Sequence, residues 1–251
     1  MQKEKLKLVI EALKDQKAYF GDELFAAMNF DINLENILDS NATSFIHETE
    51  RPLKTDIKTS VHLNYSSVEE LDANINTCKK CALGSTRLKF VFGVGNPNAD
   101  LMLIGEAPGA DEDKQGIPFV GRAGKLLNDI LKAIEFERDD IYIANILKCR
   151  PPNNRDPLPS ERETCSPYLY KQIELIKPKI ILCLGRISAN VLLNNKESLT
   201  RMRGEVYDFA ASKLMVTYHP AALLRNPNWK RGCWEDVQKV RKLYDQLTDK
   251  K

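Results

Sequence analysis

The chain has 251 residues, 43% of them hydrophobic and 29% charged, enough apolar material for one packed domain with an appendage. No apolar run reaches the ~18 to 20 residues of a membrane span, and the amphipathic, acid-containing start MQKEKLKLVIEALKDQ does not read as a secretion signal. A cytoplasmic protein follows, with cysteines reduced or metal-bound. The net charge of +2 conceals an asymmetry: residues 1–75 hold 8 Lys/Arg against 14 Asp/Glu, whereas residues 76–251 hold 29 against 21. A basic body behind an acidic leader suits a polyanionic partner.

In chain order, Leu6, Val9, Ile10 and Leu13 recur at helical spacing, and Leu24, Phe25 and Met28 follow Gly21. Residues 31–66 turn to Asn, Ser, Thr and Asp and read as a linker. Residues 1–66 are therefore expected to be an acidic helical segment with a linker. The helix either packs on the body or docks a protein partner. Residues 67–251 are expected to form the functional domain, acting as a monomer. Ser67 with Glu70 three residues on has capping-box spacing for a helix over 67–76. Strands are predicted at 101–104, 141–147, 180–184 and 214–218, with helices at 123–134, 160–176, 186–194 and 232–247. Strands separated by helices predict an α/β fold: three layers, α/β/α, around a mostly parallel four-stranded sheet.

The stretch LMLIGEAPGADEDKQGIPFVGRAG, from Leu101 to Gly124, organises the body. A strand, a Gly/Pro-rich loop and a helix make the front half of a βαβ unit, where open sheets hold ligands. Glu106, Asp111, Glu112 and Asp113 crowd one turn, and neither a G-x-G-x-x-G nor a G-K-[ST] is present. Carboxylates repel phosphate, so a neutral, flat ligand able to meet Phe119 fits better.

Cys78 and Cys81 form a C-x-x-C before the first strand, and Cys149 and Cys165 follow with fifteen residues between them. Four thiols in an intracellular chain most simply make one four-sulfur site. Zinc and a [4Fe–4S] cluster both accept four cysteines. The loose second pair, and the Pro-rich run after Cys149, lean toward the cluster. Cys183 reads as a small core residue and Cys233 as incidental.

Three motifs in order, GEAPGADEDKQGIPFVGRAG, NILKCRPPNNRDP and HPAALLRNP, together with the four cysteines, resemble the family 4 uracil-DNA glycosylases. The resemblance runs from about residue 76 to the end. It implies an α/β/α fold, a [4Fe–4S] cluster on Cys78, Cys81, Cys149 and Cys165, and removal of uracil from single- or double-stranded DNA. A glycosylase flips its base into a pocket and reads the Watson–Crick edge. On this resemblance Asn145 would donate to uracil O4 and accept from N3–H, the reverse of what cytosine presents. Phe119 would stack on the base, and His219 would donate to O2, where charge develops as the bond breaks.

In the best-known branch of the superfamily the first loop reads GQDPY, its Asp orienting the water and its Tyr excluding thymine. Here those positions are Ala107 and Gly109. Glu106 and Glu112 are then the candidates for placing water or guarding C5, with the water near the main chain of Glu106, Ala107 and Pro108. Leu223 would fill the hole left by the extruded nucleotide, and Arg225 would hold phosphate. Lys148, Arg150, Arg155, Arg201 and Arg203 would follow the DNA backbone. A related branch that bonds covalently to its product carries a basic insertion ending in His after the Asn motif; the corresponding NNRDPLPSERETC has none.

Overall fold

The computed structural model describes residues 63–248. The expectations for the leader helix and most of the linker lie outside the described residues. Helix α1, Val68–Ile75, starts as its sequence predicts: Ser67 Oγ accepts from the Glu70 amide at 3.1 Å. The Glu70 carboxylate reaches one residue further back than a capping box requires, accepting from the amide and hydroxyl of Ser66 at 2.7 and 2.6 Å.

The remaining elements, in order, are α2 (Leu83–Thr86), β1 (Val94–Gly95), β2 (Leu101–Gly105), α3 (Ala110–Gln115), α4 (Arg122–Ala133) and β3 (Tyr142–Asn145). Then come α5 (Pro159–Ile176), β4 (Ile180–Leu184), α6 (Arg186–Leu192), α7 (Leu199–Met202), β5 (Tyr207–Phe209) and β6 (Ser212–Thr217). Helices α8 (Pro220–Arg225) and α9 (Lys230–Thr248) close the chain. Among the described residues the strands form one sheet in the order β1-β3-β2-β4-β6-β5. The four predicted strands are its parallel centre, β3-β2-β4-β6, and short antiparallel strands flank it at both edges. The sheet thus has six strands, not four. β1 and β5 escape a reading based on apolar runs because only a few of their residues pair, on an edge where burial is partial.

Strands β2, β3 and β4 are buried at every residue, as expected where helices cover both faces of a parallel sheet. Alternation divides the apolar residues between two cores. Met102 and Ile104 face the layer containing Leu71 of α1 and Leu169 of α5. Leu101 and Leu103 face Leu127 and Leu131 of α4 and Val237 and Val240 of α9. The β2–β3 register sets Gly105 beside Asn145, so the first two motifs end at one level of the sheet. Strand β3 stops two residues before the predicted end, yet pairing continues into the loop: the amides of Ile146 and Leu147 donate to the carbonyls of Gly105 and Glu106, each at 3.0 Å.

Candidate active site

The carboxyl ends of the central strands open into a cleft of about 350 Å³ whose lining includes Glu106, Phe119, Asn145, His219 and Arg225. Its first wall is the loop after β2. The acids that crowd this loop serve two ends. Glu112, in the first turn of α3, accepts from the amides of Gly109, Val120 and Gly121 at 3.1, 2.9 and 3.0 Å. Buried Asp113 accepts from the Leu88 amide at 2.9 Å. Their negative charge also suits a helix N-terminus. Glu112 lines the cleft, but its carboxylate is occupied in holding the loop closed. Glu106 is different: burial, helped by Asp156 and opposed by Arg186 and Arg162, raises its carboxyl pKa to about 7.

Phe119 sits at φ 55°, a left-handed conformation that costs a residue with a Cβ. Arg138 holds it there, donating to the carbonyls of Pro118 and Phe119 and to Asn128. The Phe119 ring lies against the floor formed by Gly105. A Cβ on Gly105 would come within 2.6 Å of Phe119 Cζ and collide with Asn145 Oδ1. Gly105 thus leaves the gap between ring and amide that a flat ligand needs.

Asn145 is 2% exposed, and its Oδ1 has no hydrogen-bond partner. A buried acceptor left open costs stability unless a ligand fills it. In the same cleft lining, His219 follows β6 by two residues and caps α8. Its Nδ1 accepts from the Ala221 amide at 3.1 Å, which places the ring proton on Nε2. Burial, aided by the Arg225 charge, lowers its pKa to about 4, so the imidazole is neutral at physiological pH. The Phe119 and His219 rings lie 5.5 Å apart. An open acceptor, a neutral N–H donor and an aromatic face therefore meet in one cleft.

The sequence profile of the Uracil DNA glycosylase superfamily matches residues 92–238. A type-4 uracil-DNA glycosylase of Archaeoglobus fulgidus is 44% identical over 185 residues, covering 70% of this chain and 93% of that protein. The type-4 enzymes of Sulfurisphaera tokodaii and Saccharolobus solfataricus are 47% and 48% identical, over 70% and 66% of this chain and 84% and 82% of their own lengths. The chain belongs to the uracil-DNA glycosylase superfamily. Within it, the type-4 branch is the one these relatives define.

Several expected DNA contacts of this glycosylase chain are placed elsewhere by the fold. Lys148 is fully buried. Its Nζ donates to the Asn145 carbonyl at 3.0 Å and to Gln172 Oε1 at 2.5 Å, so it braces the strand end that carries the Asn145 amide and cannot reach phosphate. Leu223 is 1% exposed and packs in the α4/α9 core, whereas its neighbour Leu224 is 44% exposed. The helical turn of α8 sends one leucine inward and the next outward, so Leu224 is the apolar tip. Arg203 pairs with buried Asp236 at 2.7 Å. Arg155 is engaged by Glu161 through both nitrogens, at 2.9 and 2.6 Å, at the rim of the cleft. Arg150 donates to Asn154 Oδ1 at 2.7 Å, and Arg201 lies 3.4 Å from Glu197 on the surface.

Cys149 and Cys165 are buried, and Cys78 and Cys81 are partly so. Burial raises the Cys149 and Cys165 thiol pKa values, that of Cys165 to about 12, and the neighbouring thiols contribute to both shifts. Cys149 thus feels Cys78 and Cys81, and Cys165 feels Cys81 and Cys149, in surroundings where a thiolate needs a positive partner. Donors already point at them. Arg87 Nη1 lies 3.3 Å from Cys149 Sγ, the Lys148 amide 3.4 Å from Cys165 Sγ, and Tyr168 Oη 3.2 Å from Cys78 Sγ. Such donors are the outer layer that a thiolate centre carries. Among the described residues no three His, Cys, Asp or Glu side chains are arranged to hold a single metal ion. Also among the described residues, no helix is long and apolar enough to cross a membrane.

Sequence reasoning missed Gly105, Arg138, Gln172 and Arg87. Gly105 had a legible signal, a glycine closing an apolar strand where another group must approach. The other three are long polar side chains that act from distant elements, and nothing local marks them.

Proposed function

We propose that the chain excises uracil from DNA by hydrolysing the N-glycosidic bond, leaving an abasic site as the first step of base excision repair. The observation that carries this reading is one cleft that holds the buried, unpartnered Asn145 Oδ1 and a neutral His219 beside the Phe119 ring. Flipped uracil would stack on Phe119. Asn145 Oδ1 would accept from N3–H and its amide would donate to O4; cytosine, with an acceptor at N3 and a donor at C4, would meet like against like. His219 Nε2–H would donate to O2, where negative charge collects as the bond to the sugar lengthens. Glu106 would orient the water that adds to the sugar carbon. Leu224 would take the space the nucleotide vacates, and Arg225 would hold a flanking phosphate. Reading and leaving-group stabilisation then come from this chain's side chains alone, with no lysine nucleophile required.

The same reading assigns Cys78, Cys81, Cys149 and Cys165 to a [4Fe–4S] cluster. What supports the cluster is the family resemblance together with thiols supplied with hydrogen-bond donors, two from N–H groups and one from the Tyr168 hydroxyl. The cluster would supply positive iron to hold buried thiolates, tying the segment before β1 to the loop after β3 and to helix α5. Such an enzyme would work in the cytoplasm, in association with the nucleoid when acting on DNA.

Incubation with single- and double-stranded oligonucleotides carrying one uracil, followed by alkaline cleavage, tests the function. Cleavage at uracil and not at cytosine or thymine is expected. Asn145→Asp should lower the rate by at least about tenfold to a hundredfold, from the mismatched buried pair alone. Intact uracil DNA after prolonged incubation with the iron-loaded protein would remove this reading.

A further inference from the structure

Next to the cleft lies a layered assembly that base excision does not use. Tyr218, the residue before His219, has the Arg203 guanidinium carbon 4.1 Å from its ring centre and is stacked against Trp229, with ring centres 5.1 Å apart and planes at 20°. The stack is fixed from below. Arg203 donates to both carboxylate oxygens of buried Asp236, at 2.7 and 3.1 Å, and to the Tyr218 hydroxyl at 2.9 Å. Asp236 in turn accepts from Thr217 at 2.7 Å. Helix α9 makes room for it: a Cβ on Gly232 would lie 2.6 Å from Arg203 Nη2, and a glycine inside a helix costs about 0.5 to 1 kcal/mol relative to Ala.

Trp229 tops this stack yet is 42% exposed. With one face on Tyr218, the exposure that remains belongs to the opposite face and the ring edge. An indole held rigid with a face to solvent loses little entropy when a second flat group stacks on it. Its surroundings are basic, with Lys230 and Arg231 next in sequence and Arg225 of the cleft on the preceding helix.

We propose that the outer face of Trp229 is a stacking subsite for an unpaired DNA base beside the extruded uracil. The assignment rests on the glycosylase reading for its position along the strand. A nucleobase fits better than an apolar protein partner because the platform is a single indole, followed in sequence by Lys230 and Arg231 and continuous with the proposed DNA cleft through α8. Base–aromatic stacking tolerates any sequence, so this subsite strengthens grip on single-stranded DNA without adding base preference.

The sequence contains two tryptophans, so the full chain carrying Trp234→Phe reports on Trp229 alone. Titration with a short, uracil-free thymidine oligonucleotide should quench its emission to a plateau. Binding of the same strand, read by anisotropy, should weaken about fivefold or more in Trp229→Ala and be largely restored in Trp229→Phe, which keeps a flat ring. Unchanged emission at saturating DNA, or equal affinity of the Ala and Phe variants, would overturn the subsite. Normal quenching by a chain that leaves uracil in place would count against excision and for the subsite, so the two readings fail separately.

Discussion

Glu106 and His219 line one cleft whose burial favours the neutral form of both, and their pH dependence separates their roles. Burial raises the Glu106 pKa to about 7, so the carboxyl is protonated below that pH and ionised above it. If the ionised form orients water, the single-turnover rate should rise about tenfold per pH unit below 7 and level off above. Glu106→Gln should abolish that rising limb. His219, with a pKa lowered to about 4, stays neutral across the whole range and contributes no limb of its own. His219→Ala should still lower the rate by about 10²- to 10³-fold, the usual worth of one donor aimed at developing charge. Affinity for abasic-site DNA should stay nearly intact, and equal losses in rate and affinity would make His219 a residue of structure only.

At the scale of elements, the junction of β2 and β3 sets the site's tolerance. Gly105→Ala should leave the melting temperature within a few degrees while lowering uracil excision by about tenfold or more, because its methyl would meet the Phe119 ring and the Asn145 amide. An unchanged rate would show that the ring can retreat. Cys149→Ser removes one sulfur that Arg87 faces. It should lower bound iron and the absorbance near 400 nm together; stoichiometric zinc in the anaerobically purified parent protein would overturn the cluster. Much of this was legible beforehand. The four central strands announce themselves as apolar runs, and Asn145, Phe119 and His219 stand at strand ends or in a Gly/Pro loop. Burial was not legible for Lys148 or Leu223. A lysine next to a cysteine motif looks solvent-facing until Gln172, on a helix far along the chain, takes its ammonium. Leu223 and Leu224 differ only in which side of one helical turn each occupies.

For the whole molecule, charge distribution governs grip on DNA. With about four phosphates neutralised, affinity for uracil-free DNA should fall about a hundredfold between 50 and 200 mM salt. Removing residues 1–60, which precede the described fold and hold 8 Lys/Arg against 11 Asp/Glu, should tighten binding at low salt and leave the rate at saturating DNA unchanged. Loss of the fold on that truncation would make the leader part of the core.

Asn145 leaves β3, Glu106 leaves β2 and His219 leaves β6, with β4 between the last two. Each is brought into place by parallel pairing that only a long crossover can deliver, the slowest kind of contact to form. The cleft therefore has no partial version. A chain with one of these strands undocked lacks the reading amide, the water-placing carboxylate or the donor to O2, and catalytic competence should arrive in refolding as a single late event. A glycosylase built this way is silent until finished, so half-folded copies pose no hazard to intact DNA.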